Sequence, residues 1–511
     1  MKKKYWLFFI LIGYLGVKQL HAQQRSIYKE HSWTEAELKK RKAISEWKST
    51  NRLTSALPKG IDNSTSKYFP PIFNQRSNSC SQASGVRYVF TYEVNRMLNH
   101  ALAAEDNEYI FSYHFTWDYL NNGQDEGSLP ELGYDLMKVA GAASKADMPD
   151  ESEATSTTTW MNGYDKYLRA LRFRVKSYEK FTLKTQEGIE RLKQFLYNRG
   201  VEGSAGGLVT FSCKSANWTE HSYTGTSAMG LEDIITKNGT EGAHALTICG
   251  YDDQVEYDLD QNGIITEDEK GAFIIVNSWS TGWASKGRCY YPYKLFLTPA
   301  NEGGLKDLDA EALMIEPEVH TPQIVFKVNV TYTSRDDLYF VLGAADGADA
   351  TVPTVKFMYP IMCNQGGDYP MRGEGSSDLF KKIEVGLDFT DMIPEIESFK
   401  SPKYFLTVRK IASGSKIGDG KIDSFSVIDY RTNKEIASLQ KDVPIKGETI
   451  VSTLVDANSV SSSFASWLYN EDNVIASPFI LKTADGKQIK IKFEDFNKEN
   501  QTVRIRYQKL Q

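Results

Sequence analysis

Cysteine is scarce in this chain, with five residues, Cys80, Cys213, Cys249, Cys289 and Cys363, among 511. That is too few for a disulfide-stapled scaffold, and the odd number leaves at least one thiol unpaired within the chain. None of the five has the spacing of a metal site, and Cys213, Cys249, Cys289 and Cys363 read as small apolar residues of buried strands. Long apolar runs are also missing: beyond the N-terminus nothing approaches the roughly 20 residues of a membrane span. Neither sign of charge dominates, since 60 Lys and Arg stand against 66 Asp and Glu for a formal net charge of -6. Scattered, mildly acidic charge argues against nucleic-acid binding. There is no internal repeat and no low-complexity tract. What the chain does have is 41% hydrophobic and 12% aromatic residues, in a length well past the roughly 250 to 300 residues at which one core stops growing. Two globular domains are the expectation.

The N-terminus has the grammar of an export signal. Lys2, Lys3 and Lys4 form a basic start, Trp6 to Val17 an apolar stretch, and Leu20-His21-Ala22 a possible cleavage site in which Leu20 is larger than usual. Residues 1–22 are read as cleaved, with no cysteine nearby to accept a lipid, which predicts a secreted or periplasmic protein without stable membrane insertion. In residues 23–55, Ser32-Trp-Thr-Glu35 matches a capping box, and Trp33, Ala36, Ala43 and Trp47 recur at helical spacing. They predict one helix of about four turns. It is either a removable pro-segment that covers a site or a helix packed permanently on the following domain.

From Leu57-Pro58 onward helical patterns come first, at Ser81–Asn99, Ser112–Leu120, Leu129–Val139 and Thr185–Asn198, with a loop at Asn121–Ser128. Strand patterns follow at Gly207–Phe211, Ala245–Tyr251, Ala272–Asn277 and Arg288–Pro292. Helices before strands mean an α+β domain, 56–317. Beyond a boundary near 316–322, short alternating strands separated by Gly, Asp, Asn and Ser turns predict an antiparallel β-sandwich over 320–511. Its aromatics, Tyr339, Phe340, Phe357, Tyr359, Tyr369 and Phe405, suit either a sandwich core or a carbohydrate site.

Three separated segments carry chemistry. Cys80 opens the first long helix, where the positive end of the macrodipole favours a thiolate. Of only 7 histidines, His244 alone sits among Gly242, Ala243 and Ala245 and runs into an apolar strand, with room for its imidazole to face another part of the fold. Asn277, at the end of the next apolar strand, offers an amide that holds an imidazole without adding charge. These are the parts needed for acyl transfer through a thiol.

Gln75-Arg-Ser-Asn-Ser-Cys80, Gly242-Ala-His-Ala-Leu246 with Gly250-Tyr-Asp252, and Asn277-Ser-Trp-Ser-Thr-Gly-Trp283 with Gly287 together resemble the papain-like cysteine peptidases, in the same order of Cys, His and Asn. The resemblance covers about Leu57 to Ile315. It implies a two-lobed catalytic domain, a protein or peptide substrate, and no catalytic cofactor. By position it implies Cys80 as nucleophile, His244 as general base and then acid, Asn277 as its orienter, Gln75 as an oxyanion donor, and Trp279 as a shield over the His244–Asn277 bond. Gly127 and Ser128, in Asp125-Glu-Gly-Ser128, would lie along the substrate backbone. Three departures stand out. Ser81-Gln-Ala83 replaces the usual Trp-Ala-Phe, Ser77 stands where the family has a cysteine, and Gln75 precedes Cys80 by five residues instead of six, which demands a tighter turn.

Between His244 and Asn277 lies Asp258-Leu-Asp260-Gln-Asn262-Gly263-Ile264-Ile-Thr266-Glu-Asp-Glu269. It fits a twelve-position calcium loop, with oxygen side chains of Asp258, Asp260 and Asn262, Gly263 at the turn, the Ile264 carbonyl and the Glu269 carboxylate. The other reading is an acidic, solvated hairpin. Strands rather than helices flank it, so a structural Ca2+ stiffening an insertion is the expectation. The whole reads as a monomeric exported endopeptidase; the competing reading is an inert papain-like fold that binds or adheres through its sandwich.

Overall fold

The computed structural model describes residues 34–49, 56–150, 157–308, 310–411, 418–454, 479–482, 488–497 and 502–510. The expected signal segment 1–22 and Ser32 lie outside them. No helix among the described residues is long and apolar enough to cross a membrane.

Among the described residues seven α-helices precede or interrupt the first sheet: α1 (Glu35–Ala43), α2 (residues 80–98), α3 (His114–Leu120), α4 (Pro130–Ala140), α5 (Tyr164–Ala170), α6 (Gln186–Asn198) and α7 (Tyr293–Leu297). The sheet has nine strands, β1 (Gly60–Asp62), β2 (Phe173–Thr182), β3 (Val209–Ala216), β4 (Thr219–Ser222), β5 (Asp233–Lys237), β6 (Glu241–Glu256), β7 (Lys270–Val276), β8 (Arg288–Pro292) and β9 (Glu311–Val319). Their order is β2-β9-β3-β6-β7-β8-β5-β4, with β1 added to β6. Pairing is antiparallel apart from β5 with β8. The near-continuous apolar run of β7 is explained by burial on both faces. Ala272, Ile274 and Val276 pack with Val86, Val89, Phe90 and Val94 of α2. Phe273 and Ile275, one residue out of phase, pack with Ile189, Leu192 and Phe195 of α6.

Polar pins fix α2 on this sheet. Ser84 Oγ, fully inside the protein, bonds Thr210 Oγ1 at 3.0 Å, the Leu246 carbonyl at 2.9 Å and Thr247 Oγ1 at 2.7 Å. Residues Ala83–Phe90 run in π register, a local widening common where a helix serves a site. Gly133 of α4 permits its close approach, because a Cβ there would lie 1.9 Å from Gln82 Oε1.

The C-terminal half contains two further antiparallel sheets. They are built from β10 (Ile324–Tyr332), β11 (Leu338–Asp346), β12 (Val355–Cys363), β13 (Lys382–Asp388), β14 (Pro402–Lys410), β15 (Gly420–Asp429), β16 (Lys434–Ala437), β17 (Val443–Pro444) and β18 (Glu448–Ser452). One runs β13-β10-β15-β16 with β17 on β15, the other β12-β11-β14-β18. Three strands, Phe479–Lys482, Gln488–Asn497 and Thr502–Leu510, form a separate antiparallel sheet. The strands of the first two sheets do not close a core alone. Phe115 and Tyr119 of α3, Leu136 and Ala140 of α4, and Tyr167 and Ala170 of α5 share one cluster with Phe326, Val328, Phe340, Leu342, Tyr359 and Leu406. At the junction, Arg174 of β2 is ion-paired with Asp388 of β13, whose carboxylate also accepts a 2.7 Å bond from His320 Nε2.

Several expectations are corrected. The capping box is Thr34 with Glu37, and the helix covers only Glu35–Ala43. Trp47 is not on a helix: its N–H donates to the Lys180 carbonyl at 2.8 Å, and its ring packs on Phe181 and Phe195. β2 escaped the sequence reading because a bulge between Val175 and Ser177 breaks its alternation. β12 carries Pro360 inside it and pairs irregularly with β11, so no clean alternation marks it in the sequence. Of the C-terminal aromatics, Phe340, Tyr359 and Phe405 are buried in the core, and Tyr339 bonds Arg409. Cys363 is half-buried, unlike Cys213, Cys249 and Cys289.

Candidate active site

The residues before Cys80 are held by the residues after β7. A short ladder joins them: Asn74 pairs with Trp279, the Gln75 N–H donates to the Ser278 carbonyl at 2.8 Å, and the Ser280 N–H donates to the Phe73 carbonyl at 2.9 Å. Gln75 is buried. Its Oε1 accepts from Ser278 Oγ, so Nε2 is the donor end, and one Nε2–H goes to the Ser77 carbonyl at 2.7 Å. The tighter turn required by the short spacing exists: Ser77 takes φ +50°, a left-handed conformation rare for non-glycine residues.

Ser79 stands at the N-cap of α2 without capping it, because its Oγ donates back to the Arg76 carbonyl at 2.6 Å. The positive end of the helix is thereby left directed at the half-exposed Cys80. The first turn of α2 packs on β6, which carries His244 opposite Cys213 of β3. Burial pushes the Cys213 thiol far up, and the adjacent Cys80 adds to this. Cys249 and Cys289 are raised likewise by burial. Cys80 therefore differs from these three in being accessible and at a helix start.

His244 is 5% exposed. Its Nε2 lies 2.9 Å from Asn277 Oδ1, and the Ser278 N–H donates to the same oxygen at 2.8 Å. A backbone N–H only donates, so that amide atom is oxygen, and His244 Nε2 carries the hydrogen. In the neutral ring Nδ1 is then the basic nitrogen. Trp279 stacks on the imidazole with centroids 4.7 Å apart, and Trp218 meets its edge at 6.4 Å. Asn277 is fixed in turn by Tyr88 of α2, whose hydroxyl donates to its carbonyl at 3.1 Å. Cys80, His244, Asn277 and Gln75 are thus brought onto one neighbourhood of α2, β6 and the β7 exit.

The 121–128 loop is placed differently from expectation in one respect. Ser128 is buried, and its Oγ is 3.1 Å from Ser81 Oγ and 3.0 Å from Gln82 Nε2; the side chain serves α2. Gly127 is half-exposed. Asp125, which sequence reasoning passed over, clasps the turn before Cys80: its carboxylate accepts from Ser77 Oγ and, at 3.3 Å, from the Asn78 N–H, while its carbonyl accepts from Asn78 Nδ2 at 2.7 Å. No local signal marks an aspartate whose partners lie nearly fifty residues away.

In the 258–269 loop, carboxylate oxygens of Asp258, Asp260 and Glu269 lie within 4.8 Å of one another, so the donor set fits a hard divalent cation. Burial would raise the Glu269 carboxyl, but N–H groups of Thr266 and Leu259 and the Thr266 hydroxyl hold it below its usual range. Asn262 turns its Oδ1 to the Ile264 N–H at 2.8 Å, while the Ile264 side chain is exposed.

Comparison with protein-family models gives no match, and comparison with curated proteins gives none. Among solved structures, the chain is similar to xylellain, a cysteine protease from Xylella fastidiosa, at 15% identity over 57% of this chain and 94% of that one, with a TM-score of 0.36. It is similar to procathepsin B from Trypanosoma congolense at 16% identity over 59% and 89%, TM-score 0.37. It is also similar to procathepsin L2 proteinase from the larval midgut of Tenebrio molitor, at 16% identity over 62% and 94%, TM-score 0.38.

Proposed function

We propose that this chain is an exported cysteine endopeptidase acting on protein or peptide substrates. The observation that carries the reading is the His244 Nε2 to Asn277 Oδ1 bond at 2.9 Å beneath the Trp279 ring, beside a half-exposed cysteine at an uncapped helix start. His244 Nδ1 takes the Cys80 proton. The thiolate attacks the scissile carbonyl, forming a C–S bond as the carbonyl π pair moves to oxygen. The free Nε2–H of Gln75 and the Cys80 backbone N–H receive that oxyanion. Its collapse breaks the C–N bond, His244 gives its proton to the departing amine, and a thioester remains. Water, deprotonated by His244, hydrolyses the thioester and restores the thiol. The 258–269 loop binds Ca2+ through Asp258, Asp260, Asn262, the Ile264 carbonyl and Glu269 and braces the insertion between β6 and β7. Export rests on the Lys2–Val17 pattern.

An epoxysuccinyl thiol-peptidase probe should label Cys80 in the full chain, and Cys80→Ala should abolish labelling. His244→Ala should lower turnover about a thousandfold while melting stays near wild type. A folded wild-type chain that resists the probe from about pH 5 to 8, the range in which a histidine changes charge, sinks the enzyme reading and leaves the binding-protein alternative.

A further inference from the structure

The Asp125 clasp has a second side. Gly123, two positions before Asp125 in the same loop, touches the C-terminal half: Tyr369 Oη donates to the Gly123 carbonyl at 3.1 Å. The approach is close enough that a Cβ on Gly123 would fall 2.4 Å from Tyr369 Cε2, and one on Gly367 would fall 2.4 Å from the Asn122 carbonyl oxygen. Tyr369 is itself held. The Arg335 N–H donates to its carbonyl at 2.9 Å, and the Arg335 guanidinium, 1% exposed, lies 4.2 Å over the Trp160 ring while Nε donates to the Gly366 carbonyl at 3.0 Å. Trp160 Nε1 donates to the Asp118 carbonyl at 3.1 Å, so the base of the 121–128 loop is gripped as well. The contacts run without a gap from a buried arginine of the C-terminal half to the turn that presents Cys80.

We propose that Tyr369 is a positioning residue for the peptidase reaction: the 364–369 segment clamps the 121–128 loop, and Asp125 passes that order to the Ser77–Asn78 turn, and so to the Gln75 amide and the Cys80 N–H. The proposal rests on the peptidase reading for its kinetic consequence but not for the clamp itself. Packed interfaces have discrete arrangements, so losing the outer contact frees the inner one.

The test uses the full chain carrying Tyr369→Phe, Tyr369→Ala, Asp125→Ala and the two double combinations. Hydrogen exchange of the 74–80 backbone, above all the Asn78 N–H, is measured together with kcat and KM. Tyr369→Phe keeps the ring against Gly123 and should lower kcat about three- to tenfold, the effect of one hydrogen bond, with KM little changed. Tyr369→Ala should speed exchange in 74–80 and lower kcat by up to about a hundredfold. Combined with Asp125→Ala its effect should be much less than additive, since both act through one turn. Wild-type exchange in 74–80 in folded Tyr369→Ala, or fully additive losses with Asp125→Ala, overturns the proposal. A wild-type chain without turnover but with faster 74–80 exchange in Tyr369→Ala removes the peptidase reading and upholds the clamp.

Discussion

One backbone hydrogen, that of Ser278, determines which nitrogen of His244 is protonated, because it claims Asn277 Oδ1 as an acceptor and leaves Nε2 to donate. Trp279 then covers this bond from one side. Asn277→Ala removes the acceptor and lets the imidazole turn; kcat should fall about a hundredfold, as for other small misplacements of reacting groups, with the Cys80 probe still reacting slowly. A steady-state comparison against wild type checks this. The residues proposed for the chemistry stand out in the sequence because each sits in its own local context: a helix start for Cys80, small neighbours for His244, a strand end for Asn277. Asp125 and Tyr369 do not. Their significance lies in partners distant along the chain, and neither composition nor period records such a contact.

At the scale of elements, periodicity revealed what is buried evenly and missed what is interrupted. α2, α4 and α6 present regular apolar faces and fall within a residue or two of expectation. α1 does not, because Trp47 mimics the next helical turn while lying in an extended segment along β2. β6 extends past its apolar run to Glu256 because Asp252 is satisfied inside the protein by N–H groups of Ala228 and Met229 and by the Tyr290 hydroxyl. The insertion that follows gives an element-level prediction. If Asp258, Asp260 and Glu269 share a cation, adding Ca2+ at about a hundred times its dissociation constant should stabilise the fold by about 2.7 kcal/mol. Asp258→Asn with Asp260→Asn should abolish the calcium-dependent rise in melting temperature; an unchanged melt with and without chelator counts against the site.

At the scale of the whole molecule, chain boundary and core boundary differ. The strands change sheets between Val319 and Ile324, yet α3, α4 and α5 lie in one apolar cluster with the C-terminal sheets. Residues 23–319 made alone would expose Phe115, Tyr119 and Tyr167 to water. They should aggregate or bind a hydrophobic dye, which light scattering and dye fluorescence measure. The junction also predicts a pH effect. Burial alone would raise the Asp388 carboxyl, but its bond to His320, the Arg174 charge and Thr390 bring it below the ordinary aspartate range. A carboxyl depressed in the folded state contributes stability that is present above its unfolded value near about 4 and is lost as pH falls through the folded one. Asp388→Asn should therefore cost about 3 kcal/mol near neutral pH, and its deficit relative to wild type should narrow in denaturant titrations once the pH drops below about 4. The five cysteines carry a last consequence. All are thiols, and none is joined to another. Strong reductants that keep a reactive sulfur from oxidising commonly dismantle proteins stapled by cystine. Here they meet nothing to cut, so millimolar dithiol leaves the architecture intact while Cys80 stays in its reduced form.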